Sequence, residues 1–359
     1  MKIDKIVFEN FRNLKTGELV ADSGINVIYG ENAQGKTNLL EAIWMFSGAK
    51  SFRGAKDASL IKKQADFAKL SLDFTSNGRQ QTAQLTIKNG RSAQLNGIKL
   101  KTISELAGNF KAVVFSPTHL SFIKDGPAER RKFLDMAICQ LWPKYIPLYQ
   151  EYMRAVTQRN LVLKDAKFHT QLYDMLDAYE VEIAKKGSQI IAYRKKYIEL
   201  IKKYAVEIYD GISGGKEKFG IEYITVENGE NASFLLKALN ENRKNDIFAG
   251  STSIGPHRDD LLILISDMAA RQFASQGQQR SAVLALKLAE AAVLKDIGGE
   301  QPVALLDDVM SELDIFRQDY ILNHIKDWQV FITCCDASSA SRLENGARFM
   351  MKDGVLTKE

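Results

Sequence analysis

Gly30-Glu31-Asn32-Ala33-Gln34-Gly35-Lys36-Thr37 is the stretch on which the reading of this chain turns. It fits G-x-x-x-x-G-K-[ST] at every fixed position, the pattern of a loop that cradles phosphates. Ile25-Asn26-Val27-Ile28-Tyr29 before it reads as a buried strand. Thr37 to Phe46 after it reads as a helix, with Leu39, Leu40, Ile43 and Phe46 on one apolar face. Glycines let such a backbone curl so that successive N–H groups face an anion, and the helix start adds partial positive charge. In that setting Lys36 reaches the β- and γ-phosphates and the Thr37 hydroxyl ligates Mg²⁺. The plain alternative is a glycine-rich turn that matches by chance, and the flanking strand and helix weigh against it.

At 359 residues the chain exceeds the usual size of one domain and is expected to hold two lobes. With 45% hydrophobic and 26% charged residues, its composition is ordinary for a soluble globular protein. A net charge of +5 and a pI near 8.8 permit a polyanionic partner without demonstrating one. Cys139, Cys334 and Cys335 form no C-x-x-C and are expected to be buried free thiols in a reducing compartment. No apolar run approaches the ~20 residues of a membrane helix. Lys2, Asp4, Lys5 and Glu9 exclude a signal peptide at the N-terminus, so no membrane association and a cytoplasmic location are expected.

Outward from the loop, Ile3 to Phe11 and Glu18 to Ala21 read as paired strands, with Arg12 and Asn13 in the turn between them. Ser51 to Lys56 is a basic, flexible stretch. Lys69 to Thr75, Gln81 to Lys88 and Ala93 to Lys101 read as an antiparallel layer punctuated by Asn77-Gly78 and Asn89-Gly90. A short helix from Ser104 and a buried strand, Ala112 to Phe115, complete the first part, residues 1–125. Pro127 then opens a mainly helical region, residues 126–245. Tyr193, Tyr197, Ile201 and Tyr204 recur at helical spacing and are expected in its core, with Lys195, Lys196, Lys202 and Lys203 in water. A basic face that follows a phosphodiester backbone is the alternative. Ser213-Gly214-Gly215-Lys216 lacks a strand–helix setting and reads as a mobile loop.

The nucleotide fold is expected to resume at residues 246–359, where three features carry chemistry. Ser275-Gln276-Gly277-Gln278-Gln279-Arg280 opens a helix reaching about Lys295. Ser275 is its N-cap, and Gly277 keeps the entrance open to a close ligand. Val283, Leu284, Leu286 and Leu288 make this helix apolar, while Arg280, Lys287 and Glu290 share a polar side. Val303-Ala304-Leu305-Leu306-Asp307-Asp308 reads as a central parallel strand ending in two carboxylates, where open α/β sheets bind ligands. Asp307 would hold Mg²⁺ through its water shell and Asp308 would lie nearest the attacking water. The last is a buried strand, Gln329 to Thr333, after which Thr333 or Asp336 sits where a γ-phosphate sensor projects.

The phosphate loop, the Ser275-Gln276-Gly277-Gln278-Gln279 helix opening and the apolar strand with Asp307-Asp308 and then Ser311-Glu312-Leu313-Asp314 follow in that order and resemble an α/β P-loop ATPase head of the ABC/SMC type. Further segments sharpen the likeness: Phe8-Glu9-Asn10-Phe11-Arg12-Asn13, Phe115-Ser116-Pro117, Pro127-Ala128-Glu129-Arg130-Arg131-Lys132-Phe133-Leu134-Asp135 and Gly255-Pro256-His257-Arg258-Asp259-Asp260-Leu261. With the phosphate loop they closely resemble the RecF family of bacterial recombination and gap-repair ATPases, over essentially the whole chain. The resemblance implies a mixed sheet plus antiparallel β-layer, an inserted mainly helical second domain and no coiled coil. It implies ATP and Mg²⁺ as cofactors, ATP-dependent homodimerisation on gapped or junction DNA, and work with RecR and RecO in loading RecA. By position, Lys36 and Thr37 bind phosphate and Mg²⁺, Arg12 and Asn13 line the nucleotide, and Ser275, Gly277 and Gln278 read the partner's ATP. Asp307 is the Mg²⁺ carboxylate, and Asp314 belongs to the loop facing the dimer interface. The usual catalytic glutamate is Asp308 here, one methylene shorter, and the usual histidine after the last strand is absent. Both departures suit a slow switch better than a fast motor.

Arg53, Lys56, Arg130 and Arg131, with lysines of the inserted region, are the candidates for DNA phosphate contacts. No base-reading module is present, so shape or junction recognition is expected. Two other readings differ in class. A P-loop kinase or phosphotransferase completes its site within one chain, which leaves Gly277 and Gln278 without a purpose. A structural DNA binder with a vestigial nucleotide site would be free to lose Lys36, Thr37 and Asp307.

Overall fold

Val303, Ala304, Leu305 and Leu306 lie in an interior strand of a six-stranded sheet, and the alternation of their side chains explains why no polar residue interrupts them. In the computed structural model, which describes residues 1–48, 51–166, 168–335 and 346–359, Val303 and Leu305 enter one hydrophobic core while Ala304 and Leu306 enter another. The strand is covered on both faces, as parallel strands are.

The chain begins with β1 (Lys2–Glu9), β2 (Gly17–Val20), β3 (Ile25–Tyr29) and α1 (Lys36–Trp44). β4 (Ala68–Ser76), β5 (Arg79–Lys88), β6 (Gly90–Leu95), β7 (Ile98–Lys99) and β8 (Ala112–Phe115) follow. Next come α2 (Ser121–Lys124), α3 (Pro127–Leu141), α4 (Tyr145–Ala166) and α5 (Tyr173–Ser213). After them lie β9 (Phe219–Ile224), α6 (Ala232–Ala249), β10 (Asp260–Ile265), β11 (Met268–Ala269) and α7 (Ala270–Phe273). α8 (Gln276–Gly298), β12 (Val303–Asp307), α9 (Ile315–Ile325), β13 (Val330–Cys334), β14 (Gly346–Lys352) and β15 (Val355–Lys358) complete the fold.

The central sheet has the order β15-β14-β3-β13-β12-β8, parallel except for the β14–β15 hairpin. An antiparallel sheet, β2-β1-β4-β5-β6-β7, faces it across α1, and Leu39, Leu40 and Trp44 join Leu70, Leu72 and Phe331 in the core between them. The strand expected from Ala93 to Lys101 is split in two. Asn96 and Gly97 take left-handed backbone, φ 51° and 78°, and turn the chain so that Leu95 pairs with Ile98. The helix expected from Ser104 is a single 3₁₀ turn, Ile103–Leu106.

On the other face, α5 runs for 41 residues along α4, α6 and α8. Tyr197 and Ile201 are buried in this lobe and Tyr193 and Tyr204 partly so, as their spacing predicts. Lys195 pairs with Glu230 at 2.6 Å, and Lys196 lies over the Trp142 ring, 5.0 Å from its centroid. The expected boundary at Asp246 falls inside α6, and β9 pairs with β10 across it, forming a small sheet with β11. Lys287 and Glu290, expected on a polar side of α8, are buried and paired with each other, because α3, α5 and β8 cover that helix. Among the described residues no helix is long and apolar enough to cross a membrane.

Buried charges staple the lobe. Arg159 reaches Glu180 at 2.7 Å and Asp246 at 2.6 Å, with all three side chains fully buried, so each charge is compensated within hydrogen-bond distance. Arg194 reaches Asp135 at 2.8 Å and the Pro256 carbonyl at 2.5 Å. The segment Gly255 to Leu261 is a junction: the His257 ring meets the Tyr152 hydroxyl at 2.5 Å and the Thr252 carbonyl at 3.0 Å.

Burial lowers the His257 imidazole from its ordinary 6.5 to about 4. Between those values the unfolded chain binds a proton that the folded chain refuses, so stability is lost as pH falls through that window. In paired urea titrations, the stability advantage of wild type over His257→Gln should therefore shrink by about 3 kcal/mol between pH 7 and pH 4. An advantage independent of pH would contradict this.

Candidate functional site

Three neighbouring parallel strands bring the site together. Thr333 of β13 pairs with Asp307 of β12, and Cys334 pairs with Tyr29 of β3. The segments after Tyr29, Asp307 and Cys334 therefore leave the sheet at one edge, its carboxyl end.

The loop Gly30–Thr37 is shaped by left-handed backbone at Ala33, φ 63°, and Gly35, φ 118°. A Cβ on Gly30 would lie 2.2 Å from the Met351 carbonyl, and one on Gly35 would lie 2.9 Å from Asn13 Oδ1, so both positions require glycine. Lys36 Nζ donates to the carbonyls of Gly30 at 2.5 Å and Glu31 at 2.8 Å. Among the described residues no carboxylate pairs with it, so backbone dipoles alone hold the ammonium and its charge is free to meet an anion. Glu31, Asn32 and Ala33 are exposed at the crest of the loop, with Gln34 half-buried behind them, accepting from the Gly354 N–H through its carbonyl at 3.1 Å.

The Thr37 hydroxyl donates to Asp307 Oδ1 at 2.7 Å, and the Thr333 hydroxyl lies 3.1 Å from the same oxygen. Burial raises the Asp307 pKa, opposed by the hydrogen bonds from Thr37 and Thr333 and by the charge of Arg53. A hydroxyl and a carboxylate oxygen converging in this way are hard donors that suit Mg²⁺. Asp308 follows in left-handed backbone, φ 52°, and its N–H donates to Thr333 Oγ1 at 2.9 Å. Thr333 therefore does not project as a sensor. It is buried, and its hydroxyl lies between the two aspartates. Asp336, the other candidate, lies outside the described residues. Cys335 corrects the expectation of a buried thiol: it is exposed, 3.2 Å from Asn32 Oδ1 and 3.9 Å from the Asp308 carboxylate, because β13 ends one residue earlier.

Arg12 and Asn13 both flank the loop, but differently. Asn13 Nδ2 donates to the Ala33 carbonyl at 2.9 Å, and Asn38 Nδ2 donates to Asn13 Oδ1 at 2.6 Å, which latches the loop to the turn after β1. Arg12 grips buried Glu41 through Nε and Nη2, each at 2.9 Å. Arg53, expected on DNA, stands at the same rim, donating to Asn38 Oδ1 at 3.0 Å. Glu41 and Asn38 went unnoticed in the sequence, although a carboxylate inside the run Leu39-Leu40-Glu41-Ala42-Ile43 was a visible signal of a buried ion pair.

Of the other DNA candidates, Lys56 is exposed and Arg131 is half-buried, donating to the Asp259 carbonyl at 2.7 Å. Arg130 does not meet the expectation. It is buried, bound to Asp260 at 2.6 and 3.0 Å and to the carbonyls of Phe122 and Asp125. Its guanidinium has no face left for a phosphodiester.

Ser275 caps α8 as expected, accepting from the Gln278 N–H at 3.2 Å while Gln278 Oε1 accepts from the Ser275 N–H at 2.7 Å. Asp314 caps α9, and Arg317 of that helix donates to the Gly277 carbonyl at 3.2 Å. A cavity of about 420 Å³ opens here, lined by Ser275, Gly277, Gln278 and Arg317 with Lys216 and Glu217 from beyond α5. No residue of the phosphate loop lines it. Ser213 ends α5 and Gly214 caps it in left-handed backbone, φ 64°, leaving Gly214, Gly215 and Lys216 exposed.

Replacing Thr333 by valine keeps the shape but leaves the Asp308 N–H without its acceptor. The expected cost is about 1–3 kcal/mol in urea unfolding at neutral pH. An unchanged midpoint would show that this hydroxyl carries no weight.

The family described as RecF/RecN/SMC N terminal domain matches residues 2–357. The chain is 42% identical over 338 residues to the DNA replication and repair protein RecF of Clostridium perfringens (strain SM101 / Type A), covering 93% of each chain. It is 37% identical over 345 residues to the protein of that name from Acetivibrio thermocellus, covering 94% of each. A solved structure of the recombination mediator protein RecF with ATP in the RecFOR pathway superposes with a TM-score of 0.93 at 37% identity, over 100% of this chain and 97% of that one. The Smc head domain from Pyrococcus furiosus, at 19% identity and a TM-score of 0.56, shares the fold.

Proposed function

Because the chain belongs to the RecF family of DNA replication and repair proteins, we propose that it is an ATP-gated DNA-binding protein that closes as a homodimer. The observation that carries this reading is the separation of two half-sites within one chain. Lys36, Thr37 and Asp307 form one, while the cavity at Ser275, Gly277 and Gln278 is lined by no residue of the phosphate loop. A pocket for a triphosphate is complete only when the second half comes from another copy. Relatives solved with ATP and with ATPrS support ATP as the nucleotide.

In this reading the N–H groups of the curled loop and the Lys36 ammonium hold the β- and γ-phosphates. Thr37 and Asp307 would hold Mg²⁺, which would supply positive charge against the phosphate oxygens. Thr333 keeps Asp307 aimed at that position, and Asn13 and Asn38 keep the loop in its curl. Asp308 orients the attacking water, and its short side chain makes turnover slow, as suits a switch. The Ser275 hydroxyl and the start of α8 close over the γ-phosphate of the partner. The inserted lobe runs from α3 to α7.

DNA is bound by phosphate contacts without base reading, with Lys56 and the exposed lysines of the helical lobe as the candidates. The solved relative's place in the RecFOR pathway supports work with RecR and RecO; loading of RecA at single-strand gaps and a cytoplasmic location complete the proposal.

Ser275→Arg should leave ATP affinity of the monomer within about twofold and abolish the ATP-dependent dimer in sedimentation velocity, since the substitution touches only the second half-site. An unchanged dimer would reject the composite pocket. DNA affinity should fall steeply with salt, with a log–log slope of about 0.9 per phosphate contacted; a flat dependence would reject backbone binding.

A further inference from the structure

Glu217 joins the start of α8 to the far end of the helical lobe. One carboxylate oxygen accepts from Gln278 Nε2 at 2.7 Å, and the other accepts from the Tyr209 hydroxyl at 2.6 Å. Tyr209 is fully buried near the C-terminal end of α5, its ring stacked on Phe219 with centroids 4.6 Å apart. On the other side, Gln278 is the residue that completes the cap of α8 through Ser275.

The chemistry of the two groups makes this contact directional. A carboxylate only accepts, and a Gln amide accepts at one end and donates at the other. Glu217 therefore fixes which way the Gln278 amide faces. With Nε2 turned to Glu217, Oε1 is left to accept from the Ser275 N–H. The flipped amide would set two oxygens against each other and two donors against each other. Ser275 Oγ accepts from the Gln278 N–H, so the hydroxyl hydrogen of Ser275 is left to donate into the cavity.

We propose that Glu217 is a positioning residue for the composite nucleotide site, holding Ser275 and Gln278 in register with the end of α5. The inference rests on the dimer reading above. The connection runs from α5 through Tyr209, Glu217 and Gln278 to Ser275, so a shift of the 41-residue helix moves the surface that meets the partner's nucleotide. The helical lobe and the nucleotide then bias one element from two sides, which is the physical content of coupling.

The test uses the full chain, with ATP titration, thermal unfolding and sedimentation velocity in ATP. Glu217→Ala should keep ATP affinity of the monomer within about twofold and lower the melting temperature, since the buried Tyr209 hydroxyl loses its acceptor, while the ATP-dependent dimer dissociates about tenfold more readily, the effect of losing one charge-assisted hydrogen bond. Glu217→Gln should restore the dimer, since its Oε1 still accepts from Gln278. Tyr209→Phe, which leaves Ser275, Gly277 and Gln278 untouched, should show part of the loss and serves if Glu217→Ala fails to fold. Equal dimerisation of wild type, Glu217→Ala and Tyr209→Phe overturns the inference and spares the dimer reading. A loss that follows the melting temperature and is not restored by Glu217→Gln also overturns it, as a structural role. A wild type that does not dimerise with ATP rejects the dimer reading itself.

Discussion

One hydrogen bond, from the Thr37 hydroxyl to the Asp307 carboxylate, joins residues 270 positions apart and defines the site. It exists because β3, β13 and β12 are neighbours running in the same direction. Parallel strands deliver their following segments to one edge, so the phosphate loop, the paired aspartates and the end of β13 have no other place to go. A slip of one residue between β12 and β13 would turn the Thr333 side chain to the opposite face and strip Asp307 of a partner. The register is held by the two cores on either face, which require Val303 and Leu305 on one side and Ala304 and Leu306 on the other.

The two halves of the proposed site are supported differently. The phosphate loop is latched from several directions, by Asn13, by the β14–β15 hairpin through Met351 and Gly354, and by glycines that tolerate no Cβ. The half at Ser275, Gly277 and Gln278 belongs to a helix lying between the central sheet and the helical lobe. α8 is covered by α3, α5 and β8, which is why even its Lys287 and Glu290 are buried as a pair. Its exposed start takes orientation from α9 through Arg317 and from the end of α5 through Glu217. One half is thus anchored in the sheet, and the other rests on helices.

Much of this was legible in residue order. The loop, its strand and helix, the four-residue apolar strand with its aspartates, and the cap at Ser275 each carry their meaning within about ten neighbouring positions. What escaped was always a matter of partners. Arg130 looks like a surface cation until Asp260 and two carbonyls enclose it, and Lys287 looks like one face of an amphipathic helix until three elements cover it. Asn96-Gly97 was a hairpin signal passed over inside an apparent strand. Thr333 and Cys335 stand two positions apart and would share a face if β13 continued, but the strand ends at Cys334, so Thr333 stays buried and Cys335 lies exposed at the rim.

By itself the sequence determined the phosphate-cradling loop, the order of the nucleotide-site features and the family, since each depends on short-range backbone chemistry or on a pattern of residue types. Only the tertiary structure decided which charges are free and which are spent, that the Thr333 hydroxyl lies between the two aspartates, and that Glu217 meets Gln278 at the start of α8. Those outcomes depend on which groups meet across hundreds of residues, and burial then sets their worth, because a polar group removed from water must find its partner inside the fold.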